Sequence, residues 1–195
     1  MTVGIGFLAV LALAAGAIDT PVVEGVNVQQ KVETYPVNGN TARQLLDAMN
    51  ARARPDPVSG KPTYGRTDSH VSWRYRTESR DGRRCKLRGA DVKLDIVITL
   101  PQWEPAGAPP ALQAKWQDFH AALTAHELQH RALALQAARE IREMLKDLPT
   151  TDCKALNAEV ERLAAPVMQR LADASRDYDV DTQHGRSEGA FWQAD

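Results

Sequence analysis

Cysteine is scarce in this 195-residue chain: there are two, Cys85 and Cys153. Neither has a Cys or His neighbour at metal-ligand spacing, which argues against a thiolate metal site. An excess of charge of either sign is also missing. The net charge is −1, so there is no electrostatic case for nucleic acid or for an anionic membrane surface as a partner. The one basic cluster, between Arg74 and Arg88, is interrupted by Glu78 and Asp81 and reads as the solvated outside of a hairpin. Internal repeats and low-complexity tracts are absent. The length suits one domain, and 43% hydrophobic with 25% charged residues is the composition of a chain that can build a packed core.

Long hydrophobic runs are limited to one, Val3 to Ile18, which is short for a membrane span and is followed by the polar Asp19-Thr20. Ala15-Gly16-Ala17 has the A-x-A form of a signal-peptidase site. Residues 1–17 are therefore expected to be an export signal, leaving no stable membrane span after cleavage and a periplasmic or secreted protein. No Lys or Arg precedes the apolar core, so a retained anchor or an upstream start are the alternatives. In an exported protein, two cysteines far apart in sequence form a plausible single disulfide, with two buried thiols as the alternative. Closing such a loop stabilises a fold by about 4 kcal/mol in the chain-entropy account.

What is present begins with β patterning. Val26 to Val37 is β-rich, with Val26, Val28, Val32 and Thr34 on one face and Tyr35 and Val37 on the other, so a bend near Pro36 is expected. Thr41 to Ala53 reads as a short helix burying Leu45, Leu46 and Met49, capped by Asn40 or Thr41. Arg54 to Asp68, rich in proline and glycine, is expected to be a loop. His70 to Thr77 and Ala90 to Leu100 alternate with period two and are expected to pair as an antiparallel hairpin. His70 falls on its solvated face. Pro101 to Pro110 is expected to forbid further strand or helix.

From about Ala111 to Leu148 the apolar spacing is helical, and its stripe passes through Trp116, Phe119, Leu123, His126, His130, Ala137 and Ile141. Thr150-Thr151-Asp152 is expected to cap a second helix from about Cys153, which Pro166 should kink or split. Two long helices with a short connection make an antiparallel hairpin. The expected fold class is α+β: a small antiparallel sheet packed on a long antiparallel helical hairpin.

The chemistry sits in His126-Glu127-Leu128-Gln129-His130. Histidines four apart share one helix face, so both imidazoles can reach one zinc ion, and Glu127 can touch a water activated there. The pattern also arises by chance in solvated helix turns. Here, however, both histidines lie on the buried stripe, which leaves a pair of hydrogen-bonded core histidines as the alternative. A catalytic zinc usually has three protein ligands. Leu133 and Gln136 stand where a metzincin has Gly and His, so that class is excluded. Along a helical hairpin, about 19 residues from His130 to the turn span roughly 28 Å, and the same climb on the second helix reaches about residue 170. Glu159 and Glu161 fall about 12 Å short or more, whereas Asp173 to Tyr178 and the residues after it reach the level of the histidines.

That segment reads Tyr178-Asp179-Val180-Asp181-Thr182-Gln183-His184-Gly185. With the export signal, Tyr35-Pro36-Val37-Asn38-Gly39, Cys85, Cys153 and the H-E-x-x-H helix, the chain resembles the DUF922 family of predicted secreted zinc-dependent proteases, from about Val26 to Gly185. The resemblance implies one zincin-like domain over residues 26–185, with 186–195 as a tail. It also implies Zn2+ as cofactor and a peptide or protein as substrate. On it, His126 and His130 are metal ligands and Glu127 is the general base. His184 is the chosen third ligand, because imidazole suits zinc and Gly185 allows a sharp turn beside it. Asp181 and Asp179 are the rivals, and either could instead orient a histidine from outside. Tyr178 could donate to a developing oxyanion, or could pack at a helix end. The alternative of a different class is a non-catalytic periplasmic binding or structural module with a closed metal site.

Overall fold

The computed structural model describes residues 18–56 and 60–194, and the segment read as an export signal lies outside the described residues. Three α-helices and a four-stranded sheet form a mixed α+β fold, with a separate two-stranded sheet beside them. Strand β1 (Val26–Val37) is followed by helix α1 (Ala42–Asn50), whose Thr41 hydroxyl accepts a hydrogen bond from the Gln44 N–H as an N-cap. Helix α1 buries Leu45 and Met49. The inward side of β1 switches from even positions (Val26, Val28) to odd ones (Tyr35, Val37), and Val32 is exposed.

The proline-rich stretch expected to be a loop contains two short strands, β2 (Arg54–Pro55) and β3 (Pro62–Thr63), paired antiparallel. Next come β4 (Arg66–Ser79) and β5 (Arg84–Trp103), antiparallel with Val71 opposite Leu94 and a register shift at Arg76/Thr77. Alternation along β5 buries Val92, Leu94, Ile96 and Ile98, the centre of the core.

The large sheet is not wholly antiparallel, contrary to expectation. Its order is β1-β5-β4, and β1 runs parallel to β5 from Val26 opposite Val92 to Val37 opposite Trp103. Parallel neighbours need a long crossover, and the chain between Val37 and Arg84 supplies one through α1, the small sheet and β4. Strand β5 also continues through Pro101, where an end was expected. Its pairing with β4 stops at Arg66 opposite Thr99, so beyond that point β5 has a neighbour on one side only, a position at which a missing N–H is tolerated.

Helix α2 (Pro110–Lys146) opens with proline at its first position, where an N–H is not needed, and it buries Trp116, Phe119, Leu123, Ile141 and Leu145. Thr151–Asp152 does not cap a helix but forms β6, paired with Arg84–Cys85, while a disulfide joins Cys153 to Cys85. These two links hold the connection along the start of β5. Helix α3 (Leu156–Thr182) begins three residues later than expected and is not split by Pro166. Val160, Ala164 and Val167 are buried on either side of the proline. The contacts between α2 and α3 join Glu140 to Arg170, His130 to Ser175 and His126 to Asp179. The last three turns of α3 thus stand opposite the H-E-x-x-H segment. Beyond a 3-10 turn at Arg186–Glu188, Trp192 packs edge-on against Trp116 and Phe119 and is buried in the core.

Candidate metal centre

His126 and His130 project from one face of α2, and Asp179 meets both from α3. The His126 Nε2 to His130 Nε2 distance is 3.3 Å, and Asp179 Oδ1 lies 3.0 Å from the first and 3.1 Å from the second. Ligand atoms around a tetrahedral zinc with bonds of about 2.0–2.1 Å stand about 3.3 Å apart. The three donors therefore already have the mutual spacing of ligands on one ion, and this His/His/Asp group could hold a metal ion. The chemistry of the set agrees with its geometry. Two imidazole nitrogens and a carboxylate oxygen converge on one point, and with the imidazoles neutral the three groups would together present three lone pairs to a cation there.

A second layer orients the first. The Nδ1 of His126 is 3.1 Å from Glu188 Oε2, so an N–H there donates to a carboxylate and leaves Nε2 free to bind metal. Tyr178 stacks on the His126 ring at 4.8 Å and donates its hydroxyl to Glu188, with oxygen distances of 2.8 and 2.9 Å. Ser175 Oγ lies 3.4 Å from His130 Nδ1.

Glu188 reaches His126 because the chain reverses sharply after α3. Gln183, His184 and Gly185 take φ values of 53°, 57° and 76°, three successive left-handed residues. For the two that are not glycine, this conformation costs about 1–2 kcal/mol each. The His184 N–H donates to the Asp179 carbonyl at 2.7 Å, and the Gly185 N–H to the Thr182 hydroxyl at 3.0 Å. A Cβ on Gly185 would come within 3.0 Å of His126 Cγ and 2.9 Å of Ala190 Cβ, so only glycine lets this backbone press against the imidazole.

Glu127 is buried, with 3% of its surface exposed. The Thr67 hydroxyl of β4 lies 2.8 Å from its Oε2 and 3.0 Å from its backbone carbonyl. Burial raises the Glu127 pKa above the usual carboxylate value, against the opposing bond from Thr67. Gly65 makes room for it, since a Cβ there would sit 2.5 Å from Glu127 Oε1 and 2.9 Å from Leu123 Cδ1. Burial lowers the His126 pKa, but the Asp179 and Glu188 carboxylates on its two nitrogens outweigh that and hold it above the ordinary histidine value. Burial of Asp179 raises its pKa, yet the bonds from His126 and His130 leave it well below the carboxylate range. The group opens into a cleft of about 690 Å³, whose lining includes Tyr64, Thr67, Asp179, Ala190 and Trp192.

A protein-family description, "Bacterial protein of unknown function (DUF922)", matches residues 32–185. The chain belongs to the DUF922 family. No curated protein and no solved structure matches it. The matched span of this DUF922 protein contains the whole donor triad, Glu127, Thr67 and Gly185, whereas Glu188 and Trp192 lie beyond it.

Of the residues singled out in the sequence, His126, Glu127 and His130 stand together as expected. The third donor brought to the imidazoles is Asp179, one of the rivals, and not His184. His184 lies next to the group with its Nδ1 3.6 Å from Asp179 Oδ1 and its Nε2 3.7 Å from Asp56 Oδ1. The reason is helical: α3 extends to Thr182, so Asp179 remains on a regular turn facing α2, and the left-handed reversal carries His184 past it. Asp181 is exposed on the other side of that turn. Tyr178 does not line the cleft; its hydroxyl is committed to Glu188. Sequence reasoning missed Glu188, Thr67 and Gly65. None belongs to a spaced motif with the histidines, and no periodicity signals them. No helix among the described residues is long and apolar enough to cross a membrane. The intramolecular disulfide is compatible with export.

Proposed function

We propose that this DUF922 protein is a secreted or periplasmic zinc metallopeptidase with residues 1–17 as its export signal. The domain over 26–185 is read as zincin-like, its sheet packed on an antiparallel hairpin of α2 and α3. The observation that carries the reading is the triangle of His126, His130 and Asp179 donors at 3.0–3.3 Å, with buried Glu127 beside it at the floor of an open cleft. His126, His130 and Asp179 would hold the ion. A bound zinc ion supplies Lewis acidity toward water and toward an amide carbonyl.

The protein's own groups do the rest. Glu127, held by Thr67 and raised in pKa by burial, accepts a proton from water in the cleft and returns it to the leaving amine. Glu188 keeps the His126 proton on Nδ1, and Tyr178 holds Glu188 in place. The cleft walls exclude bulk water from one side of the reacting bond and position an extended substrate over Glu127.

A structural, non-catalytic metal site is the competing reading, and the position of His184 favours it. A modest turn of this side chain toward Asp179 would add a fourth protein ligand and close the site. One experiment separates them. Purified protein with zinc should degrade an unstructured protein substrate. Chelator should abolish that activity, and Glu127→Gln should lower it by about 10²–10⁴-fold with zinc content unchanged. Activity in Glu127→Gln equal to wild type would remove the catalytic reading.

A further inference from the structure

The cleft over Glu127 is positively charged although the whole chain carries a net charge of −1. Five cationic side chains line it: Arg54 of β2, Lys61 before β3, Arg66 of β4, Arg176 of α3 and Arg186 of the 3-10 turn. The lining acids are Asp56, Glu127 and Asp179, and the last would be neutralised further by a bound dication. Arg66 and Arg176 are occupied by Asp68 and Asp173 outside the cleft lining. Among the described residues no carboxylate pairs with Arg54 or Arg186.

Arg186 is also pre-oriented. Its guanidinium sits over the Phe191 ring, with Cζ 3.8 Å from the ring centroid. A ring contact of this kind restrains the side chain without using its N–H donors, and those donors match a carboxylate fork. Val180 and Phe191, 61% and 38% exposed, give the same wall an apolar strip beside the charges.

We propose that this cleft selects peptides bearing a carboxylate close to the bond presented to Glu127, with Arg54 and Arg186 as the residues that read it. The inference rests on the peptidase reading of the site and deepens it to a substrate class. A carboxylate can come from an Asp or Glu side chain or from a peptide's C-terminus, and the test separates the two.

Fluorescently labelled octapeptides are titrated into zinc-loaded full-length Glu127→Gln, and binding is followed by anisotropy at low salt. The set comprises an alanine-based peptide with an amidated end, the same peptide with a free C-terminus, an amidated peptide with two central glutamates, and its lysine counterpart. Charge-assisted hydrogen bonds predict a preference of at least about tenfold for a carboxylate-bearing peptide over the amidated alanine peptide. The arm that gains identifies the source: the glutamate peptide a side chain, the free-ended peptide a terminus. The preference should vanish in the Arg54→Ala/Arg186→Ala double variant at unchanged zinc content, and Arg186→Glu should favour the lysine peptide.

Equal affinities across the set, preference for lysine in the parent protein, or no binding at all would overturn the proposal. A preference that survives both arginine substitutions would overturn it too, because the carboxylate would then be ligating the metal. Binding is read without turnover, so failure of peptide hydrolysis by the wild type leaves this result intact. Hydrolysis of neutral peptides with no charge preference would sink this inference alone.

Discussion

The Nδ1 of His126 lies 3.1 Å from a carboxylate oxygen of Glu188, a residue 62 positions away in sequence. This contact joins α2 to the turn after α3, and it fixes which nitrogen of His126 faces Asp179. Glu188→Ala should therefore weaken zinc binding by about 10–100-fold, the usual effect of losing an outer carboxylate partner of a liganding histidine. Glu188→Gln, which can still accept the Nδ1 proton, should recover part of that loss, and Tyr178→Phe should have a smaller effect. Competition titration against a chromophoric zinc chelator measures all three.

Asp179 and His184 make opposite predictions. Asp179→Ala removes a donor and should lower zinc affinity by more than about a hundredfold, beyond the effect of any outer partner. His184→Ala should leave one zinc per chain at nearly wild-type affinity. Metal stoichiometry by mass spectrometry of the intact protein checks both, and loss of zinc from His184→Ala alone would exchange the two assignments.

Gly65→Ala tests the space left for the general base. A Cβ at this position collides with Glu127 Oε1 and Leu123 Cδ1. Displacing the base by a fraction of an ångström to one ångström should lower kcat/KM by roughly 10–100-fold. Zinc content should not change, because neither clashing residue is a donor. Assay of turnover beside zinc analysis distinguishes this from a collapsed site.

The stabilisation by zinc should itself depend on pH. Without metal, the lowered pKa of Asp179 contributes stability above its ordinary value of 3.8 and loses it as pH falls through the folded value. The raised pKa of His126 contributes below its ordinary value of 6.5 and loses it as pH rises through the folded value. The metal-free protein should thus lose stability as pH rises above the ordinary histidine value of 6.5. Zinc requires unprotonated imidazoles, so the rise in Tm on adding it should be larger at about pH 8 than at pH 6. Calorimetry with and without chelator at the two pH values reads both slopes.

Removing the Cys85–Cys153 disulfide by Cys85→Ser/Cys153→Ser should cost about 2–5 kcal/mol. It ties the connection before α3 to the start of β5, and α3 carries Asp179. Urea denaturation gives the loss, and zinc should restore part of it by binding the native state.

Legibility followed the range of the interactions. The alternation Val92-Leu94-Ile96-Ile98 and the four-residue step from His126 to His130 are local, so strand, helix and the shared face of two histidines could be read directly. The climb along the helices pointed to Asp173 to Tyr178 and the residues just beyond, and the donor found is Asp179. Pro101 did not end β5 and Pro166 did not split α3, for a common reason. Their local penalties are real, but the packing of α3 and the one-sided pairing of β5 beyond Thr99 absorb them. Asp152 looked like a cap and became a strand residue because Arg84 and Cys85 stand opposite it.

By itself, the sequence determined that two imidazoles share a buried helical stripe with Glu127 next to the first of them, because four-residue helical spacing alone brings the histidines to one face. Tertiary structure decided the remainder of the centre. The last turns of α3 reach the level of α2 at Asp179, and a left-handed reversal at Gln183-His184-Gly185 then carries His184 past the donor triangle and returns Glu188 to His126. The strand entering at Gly65 and Thr67 likewise leaves space for Glu127 and bonds it. These relationships depend on where helices end and on which strand edge faces them. Such distances between remote segments are set by packing and have no period that a sequence could display.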